Sequence, residues 1–238
     1  MRLTVIGSSP AWPNPGSAQS GYLLSGDESM AETLLLDCGP GVLGRLREAG
    51  LTGVAAIAIT HFHLDHWGDL VPWAWLADYG AEGPGRPELW LPPGGTEQLA
   101  TFASIWGNPN MFDKAFELFE YEPETPFTAG GFSIVAQQVP HYTLHAFGFR
   151  ISGNGKMMAY SGDSAPSPEL AALAQGADLF VCEATLANPD RDGPPRGHLT
   201  ADEALAAADG PVLLTHRPIE LDSPEGIPRA HDGLVVDI

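Results

Sequence analysis

The sequence predicts an α/β fold, and three observations carry that prediction. Short β-type runs recur along the 238 residues, helical stretches fall between them, and a tight cluster of histidine and aspartate stands where one such run ends. In the first half, Leu3 to Ile6, Tyr22 to Ser25 and Thr33 to Leu36 read as strands, Gly41 to Ala49 as a helix, and Ala55 to Ile59 as a buried strand. A helix from Leu70 to Asp78 follows, then a Gly/Pro-rich loop from Gly80 to Pro87, a strand at Leu89 to Leu91 and a helix near Thr96 to Ile105.

The second half repeats the alternation, with strands at Phe132 to Val139, Ala146 to Ile151, Met157 to Tyr160, Leu179 to Val181 and Val212 to Leu214. Helices near Pro168 to Ala174 and Ala201 to Ala208 separate the later ones, the second opening on a capping box of Thr200 and Glu203. The stretch from Phe102 to Phe127 fits two periods at once. Phe112, Phe116 and Phe119 make a helical stripe, whereas Phe116 to Tyr121 alternates like a half-buried strand. Core packing is the simpler expectation; a lid, a pocket wall or a homodimer face is the alternative, because an aromatic patch would otherwise be left exposed.

With 44% hydrophobic and 17% charged residues, the chain has the composition of a globular domain. One domain over 1–238 is expected, in two halves of roughly 1–110 and 130–238. Thirty acidic residues against eleven basic ones give a formal charge of -19, which repels phosphate backbones; nucleic acid is not an expected partner. No apolar run approaches the roughly 18 residues of a membrane span, and Met1-Arg2 leads directly into a strand-like run, so a cytoplasmic protein is expected. Cys38 and Cys182 each follow an apolar run and read as buried reduced thiols.

The informative segment is His61-Phe62-His63-Leu64-Asp65-His66, at the end of the Ala55 to Ile59 run. In extended backbone, side chains at i and i+2 point the same way, so His61 and His63 can reach one ion. Asp65 and His66 fall where the chain turns into a helix and can aim at a second. Imidazole nitrogen and carboxylate oxygen are ligands that zinc accepts at about 2.0–2.2 Å. Mn, Fe, Co or Ni suit the same donors.

This motif resembles the signature of the metallo-β-lactamase superfamily. The resemblance extends over almost the whole chain and implies a four-layer αββα sandwich with a dinuclear metal site. It implies three further ligands, each directly after a strand: His141, Asp163 within Ser161-Gly162-Asp163-Ser164, and His216 after Thr215. His61, His63 and His141 would then hold one divalent ion, Asp65, His66 and His216 the other, with Asp163 bridging. His145 competes with His141, because one residue more than the family pattern separates His141 from Gly148-Phe149-Arg150; His141, next to its strand, is the better match.

Gly197-His198-Leu199-Thr200 and Cys182-Glu183-Ala184-Thr185 resemble the HST and HEAT segments of the ribonuclease Z branch. That likeness implies that His198 assists proton transfer at a phosphate and that Glu183 orients it. The lysine, arginine and final asparagine of that enzyme's PxKxRN segment are missing from Pro13 to Ala18, and only about twenty residues separate His141 from Asp163, where its tRNA-binding arm would lie. The expectation is therefore a metal-dependent phosphodiesterase for small phosphodiesters such as cyclic nucleotides, not tRNA, with Asp65, His198 and Glu183 catalytic. A lactone, thioester or other carbonyl-ester hydrolase is the alternative reaction, and a non-catalytic ligand carrier of the same fold is the alternative class.

Overall fold

A computed structural model describes residues 1–26, 32–81 and 83–238. Glu82, inside the expected Gly80 to Pro87 loop, lies outside the described residues. Seven strands build the first sheet: β1 (Arg2–Gly7), β2 (Gly21–Ser25), β3 (Thr33–Leu36), β4 (Ala56–Ala58), β5 (Glu88–Leu91), β6 (Glu117–Glu120) and, from the C-terminal end, β13 (Val235–Asp237). Their order is β13-β1-β2-β3-β4-β5-β6, antiparallel from β13 to β3 and parallel from β3 to β6.

The second sheet holds β7 (Phe127–Ala129), β8 (Phe132–His141), β9 (Leu144–Gly153), β10 (Lys156–Tyr160), β11 (Leu179–Glu183) and β12 (Val212–Thr215). It runs β12-β11-β10-β9-β8-β7, parallel through β10, β11 and β12 and antiparallel beyond. Among the described residues, seven α-helices flank the sheets: α1 (Val42–Glu48), α2 (Leu64–Trp67), α3 (Leu70–Tyr79), α4 (Gly95–Ser104), α5 (Met111–Ala115), α6 (Pro168–Ala174) and α7 (Ala201–Ala207). The capping box predicted at Thr200 and Glu203 starts α7, and Ser167 caps α6 by accepting the Leu170 amide at 3.1 Å.

The two-residue period of the strands divides the interior into three apolar layers. Tyr22, Leu24, Leu34 and Leu36 face Ile134, Phe149, Ile151 and Tyr160 between the sheets. The intervening Leu23 and Leu35 point the other way, onto α1, α3, α4 and α5. On the far side, Ala159, Phe180, Cys182 and Leu214 meet α6 and α7. The result is the four-layer αββα sandwich of the metallo-β-lactamase fold. Cys38 and Cys182 are both buried and free.

The ambiguous segment divides at Phe116: Phe112 lies in α5, whereas Phe116 is extended and Phe119 stands exposed on β6, so the three do not form one helical stripe. Met111, Phe112 and Phe116 are buried against the outer helices, Phe116 ends α5, and the chain then runs straight into β6. Among the described residues, no helix is long and apolar enough to cross a membrane.

Candidate metal centre

The parallel strands of both sheets end on one side of the molecule, where segments from different strands deliver side chains to a common crevice. His61 and His63 come after β4, Asp65 and His66 lie in α2, His141 ends β8, Asp163 follows β10, and His216 follows β12. The short helix α2 crosses close over the segment after β3: Cys38 donates its amide to the His66 carbonyl at 2.6 Å, and a Cβ on Gly39 would collide with the Asp65 carbonyl. Only glycine permits that approach.

Among the described residues two His/Asp ligand groups result, with a third set, Glu183, His198 and His216, beside them. His61, His63, His141 and Asp163 bring one potential ligand atom each within 4.8 Å of one another, and Asp65, His66, Asp163 and His216 do the same. Asp163 is common to both. Its Oδ2 lies 3.3 Å from His66 Nε2 and 3.8 Å from both His61 Nε2 and His141 Nε2, while Oδ1 lies 3.7 Å from His216 Nε2. His63 Nδ1 and His141 Nε2 stand 2.9 Å apart, and His216 Nε2 is 3.0 Å from Asp65 Oδ2. His145 sits exposed on β9 opposite Pro140, outside both groups.

Four of the five candidate histidine rings are held from behind. His66 Nδ1 donates to Asp37 Oδ2 at 2.7 Å, and His141 Nδ1 donates to the Gly197 carbonyl at 2.6 Å. Thr60 Oγ1 meets His61 Nδ1 at 3.1 Å, and Thr185 Oγ1 meets His216 Nδ1 at 2.8 Å. Such partners fix which nitrogen faces the centre and keep it basic. Asp37 was not foreseen from the sequence, although a carboxylate directly after the four leucine-rich residues of a buried strand is an available signal. It is fully buried and also accepts from Tyr160 OH at 2.8 Å and from Thr60 N at 2.8 Å. Backbone strain gathers here too: Asp37, Tyr142 and His216 have φ of 59°, 49° and 51°.

The donor set fits divalent cations. His61 Nε2, His66 Nε2 and Asp163 Oδ1 are buried without a hydrogen-bond partner among the described residues. A buried polar atom left alone costs about 1–3 kcal/mol, and all three point at the shared centre. Burial, reinforced by neighbouring imidazoles, holds His61, His63 and His141 below the usual histidine range, so they are neutral and ready to ligate. Burial acts against ionised Asp65 and Asp163, yet the adjoining His66 and His216 keep both below the usual carboxylate range. For His66, burial is outweighed by Asp163, Asp37 and Asp65, which raise it well above the ordinary value.

Beside the centre, His198 Nδ1 lies 3.0 Å from Glu183 Oε1 and 3.9 Å from Asp163 Oδ2. Burial opposes its protonation, but Glu183, Asp163 and Asp192 together push it up to about 9. Glu183, fully buried, also accepts the amides of Ser164 at 3.0 Å, Thr185 at 3.2 Å and Leu199 at 3.3 Å. His198 and His216 line a cleft of about 530 Å³ whose walls include Trp12, Tyr142, Leu186 and Leu221. Arg191 is the one arginine or lysine among the lining residues.

Residues 32–211 match the family model of the β-lactamase superfamily domain. YhfI of Bacillus subtilis, described as a probable metallo-hydrolase, is 31% identical over 225 residues, covering 92% of this chain and 87% of that protein. The chain belongs to the metallo-β-lactamase superfamily. Within that superfamily, an uncharacterized protein of Mycobacterium tuberculosis is 33% identical over 225 residues, covering 92% of this chain and 81% of its own. A ribonuclease Z of Mycobacterium bovis is 28% identical over 197 residues, or 76% of this chain and 69% of the enzyme. The crystal structure of YhfI superposes with a TM-score of 0.82, covering 99% of both chains at 24% identity over the aligned residues.

Proposed function

We propose that this superfamily member is a dinuclear metal-dependent phosphodiesterase acting on small phosphodiesters, cyclic nucleotides among them. The observation that carries the reading is the Glu183–His198 pair, hydrogen bonded at 3.0 Å at the foot of the cleft and 3.9 Å from the shared Asp163 carboxylate. An alkoxide leaving phosphorus needs a proton, and the pair sets a donor beside the centre to supply it.

His61, His63 and His141 would hold one cation, Asp65, His66 and His216 the other, and Asp163 both, with zinc as the first candidate. When bound, two such cations supply Lewis acidity: they offset the charge of the phosphodiester and lower the pKa of water toward neutrality. The protein's own groups do the rest. Asp65, whose Oδ2 faces the centre, orients the attacking water. Glu183 occupies His198 Nδ1 and favours the imidazolium, leaving Nε2 to donate a proton to the oxygen that departs from phosphorus. Arg191, on the cleft wall, offers charge to a second anionic group of the substrate.

The cleft volume of about 530 Å³ suits a small molecule, and the charge of -19 disfavours tRNA. The test is a panel of bis-p-nitrophenyl phosphate, cyclic AMP, an acyl-homoserine lactone and a thioester, assayed with metal-reconstituted protein. Phosphodiester turnover is expected, and on cyclic AMP, whose departing alkoxide needs a proton, it falls about 10²–10⁴-fold in His198→Ala with both metals retained. Turnover of carbonyl substrates alone refutes the phosphodiesterase reading, and binding without any turnover indicates a carrier.

A further inference from the structure

The segment that presents His198 is built around Asp192, whose charge is the smallest of the three that raise His198. Asp192 Oδ2 accepts the amides of two consecutive residues, Gly197 at 2.8 Å and His198 at 3.0 Å. One carboxylate oxygen thus fixes the backbone on both sides of the peptide that leads into His198. From the opposite side, the Gly197 carbonyl receives His141 Nδ1 at 2.6 Å, and the Arg196 carbonyl receives the Tyr142 amide at 3.1 Å. Tyr142 closes the arrangement. Its ring lies 4.8 Å from that of His141 and 5.6 Å from that of His198.

We infer that Asp192 is the positioning residue for His198: it sets the 192–198 segment so that the imidazole meets Glu183 and faces the cleft. Three features make this more than loop closure. First, Asp192 spends its oxygen on main-chain N–H groups, where geometry rather than charge alone is at stake. Second, there is no slack in the segment, because a Cβ on Gly197 would collide with the Tyr142 ring. Third, Tyr142 holds a left-handed φ of 49°, a conformation that a bulky side chain adopts only where its surroundings impose it. Arg196 adds support on the C-terminal side, donating to the His198 carbonyl at 3.1 Å while paired with Glu203.

This inference rests on His198 being the proton donor, and its test separates the two ideas. Aryl methyl phosphodiesters are hydrolysed with either p-nitrophenol or unsubstituted phenol as leaving group. The first departs as the anion; the second needs protonation. His198→Ala sets the reference, with a loss concentrated on the phenyl substrate. Asp192→Ala is expected to reproduce that selectivity, with kcat for the phenyl substrate falling about 10–100-fold while KM and metal content hold. Asp192→Asn, which keeps an acceptor oxygen for the two amides, should recover most of the loss. Gly197→Ala leaves Asp192 in place but displaces the same segment; compared at equal metal content, because the Gly197 carbonyl also holds His141, it should show the same selective loss even if Asp192→Ala does not fold.

Equal losses on both substrates in Asp192→Ala, or Asp192→Asn as impaired as Asp192→Ala, overturn the positioning role while the donor reading stands. A His198→Ala protein with no leaving-group selectivity refutes the donor reading, and the inference with it.

Discussion

The carboxylate of Asp37 anchors His66 from behind the candidate metal centre, and Asp37→Asn isolates what it does. Asparagine tolerates the left-handed φ of 59° at this position, so the substitution alters the acceptor and its charge with little backbone cost. In the native protein Oδ1 takes the Thr60 amide at 2.8 Å, while Oδ2 takes His66 Nδ1 at 2.7 Å and Tyr160 OH at 2.8 Å. Asparagine must place its NH2 group in one of those positions. Facing His66 and Tyr160, it removes two charge-assisted bonds at about 1.5–3 kcal/mol each, or about 3–6 kcal/mol in all. Facing Thr60, it strands one main-chain donor and weakens the remaining acceptor, for at least about 1.5 kcal/mol.

In either orientation the substitution loses or weakens the acceptor that holds the His66 ring, so metal affinity should fall about 10–100-fold. Urea unfolding of metal-free protein reads the first effect, and competition against a chromophoric chelator reads the second. An Asp37→Asn protein with native unfolding midpoint and native metal affinity would refute the claim that Asp37 both braces the sheets and aims His66.

Three further outcomes are expected. Metal uptake near neutral pH should release protons, because His66 is held protonated by Asp163, Asp37 and Asp65 against its burial and must become neutral to ligate; titration calorimetry in buffers of different ionisation heat measures this, and zero release contradicts it. In metal-free protein, the raised His198 contributes stability that is fully present below its ordinary value of 6.5 and is lost as pH rises through about 9; unfolding midpoints of wild type and His198→Ala should converge across that window, and parallel curves exclude it. Chelation should lower the thermal midpoint, since an ion at about a hundred times its Kd stabilises the folded state by about 2.7 kcal/mol; a midpoint indifferent to chelator and to added zinc argues against a resident metal.

How much of this was legible depends on whether a residue's role is local. His61, His63, Asp65 and His66 could be read because one strand end and one helical turn fix their relative directions, and α2 begins at Leu64 as that reading requires. His141, Asp163 and His216 could be placed only through the family resemblance, since no local pattern links strands 80 residues apart. Asp37, Thr60, Thr185 and the Gly197 carbonyl were missed for a related reason: each acts through a ring brought to it by the tertiary fold. The edge strands β7 and β13, three residues each, carry too little apolar alternation to stand out. The Phe102 to Phe127 segment resisted a single period because α5 passes into β6 at Phe116, so both periods are present in turn.

The distribution of ligands between the halves has a consequence for the molecule as a whole. Each candidate cation takes donors from both sheets: His61 and His63 after β4 meet His141 and Asp163 from β8 and β10, while Asp65 and His66 meet Asp163 and His216. Bound ions would therefore act as cross-links between the halves, added to the apolar layer of Tyr22, Leu36, Phe149 and Tyr160 that joins them already. Asp37 belongs to both systems, since it grips His66 from the first sheet and the Tyr160 hydroxyl from the second. The positions that aim the ligands are thus also positions that register one sheet on the other. At Asp37, packing between the sheets and geometry at the candidate metal site are one structural problem, solved by the same side chain.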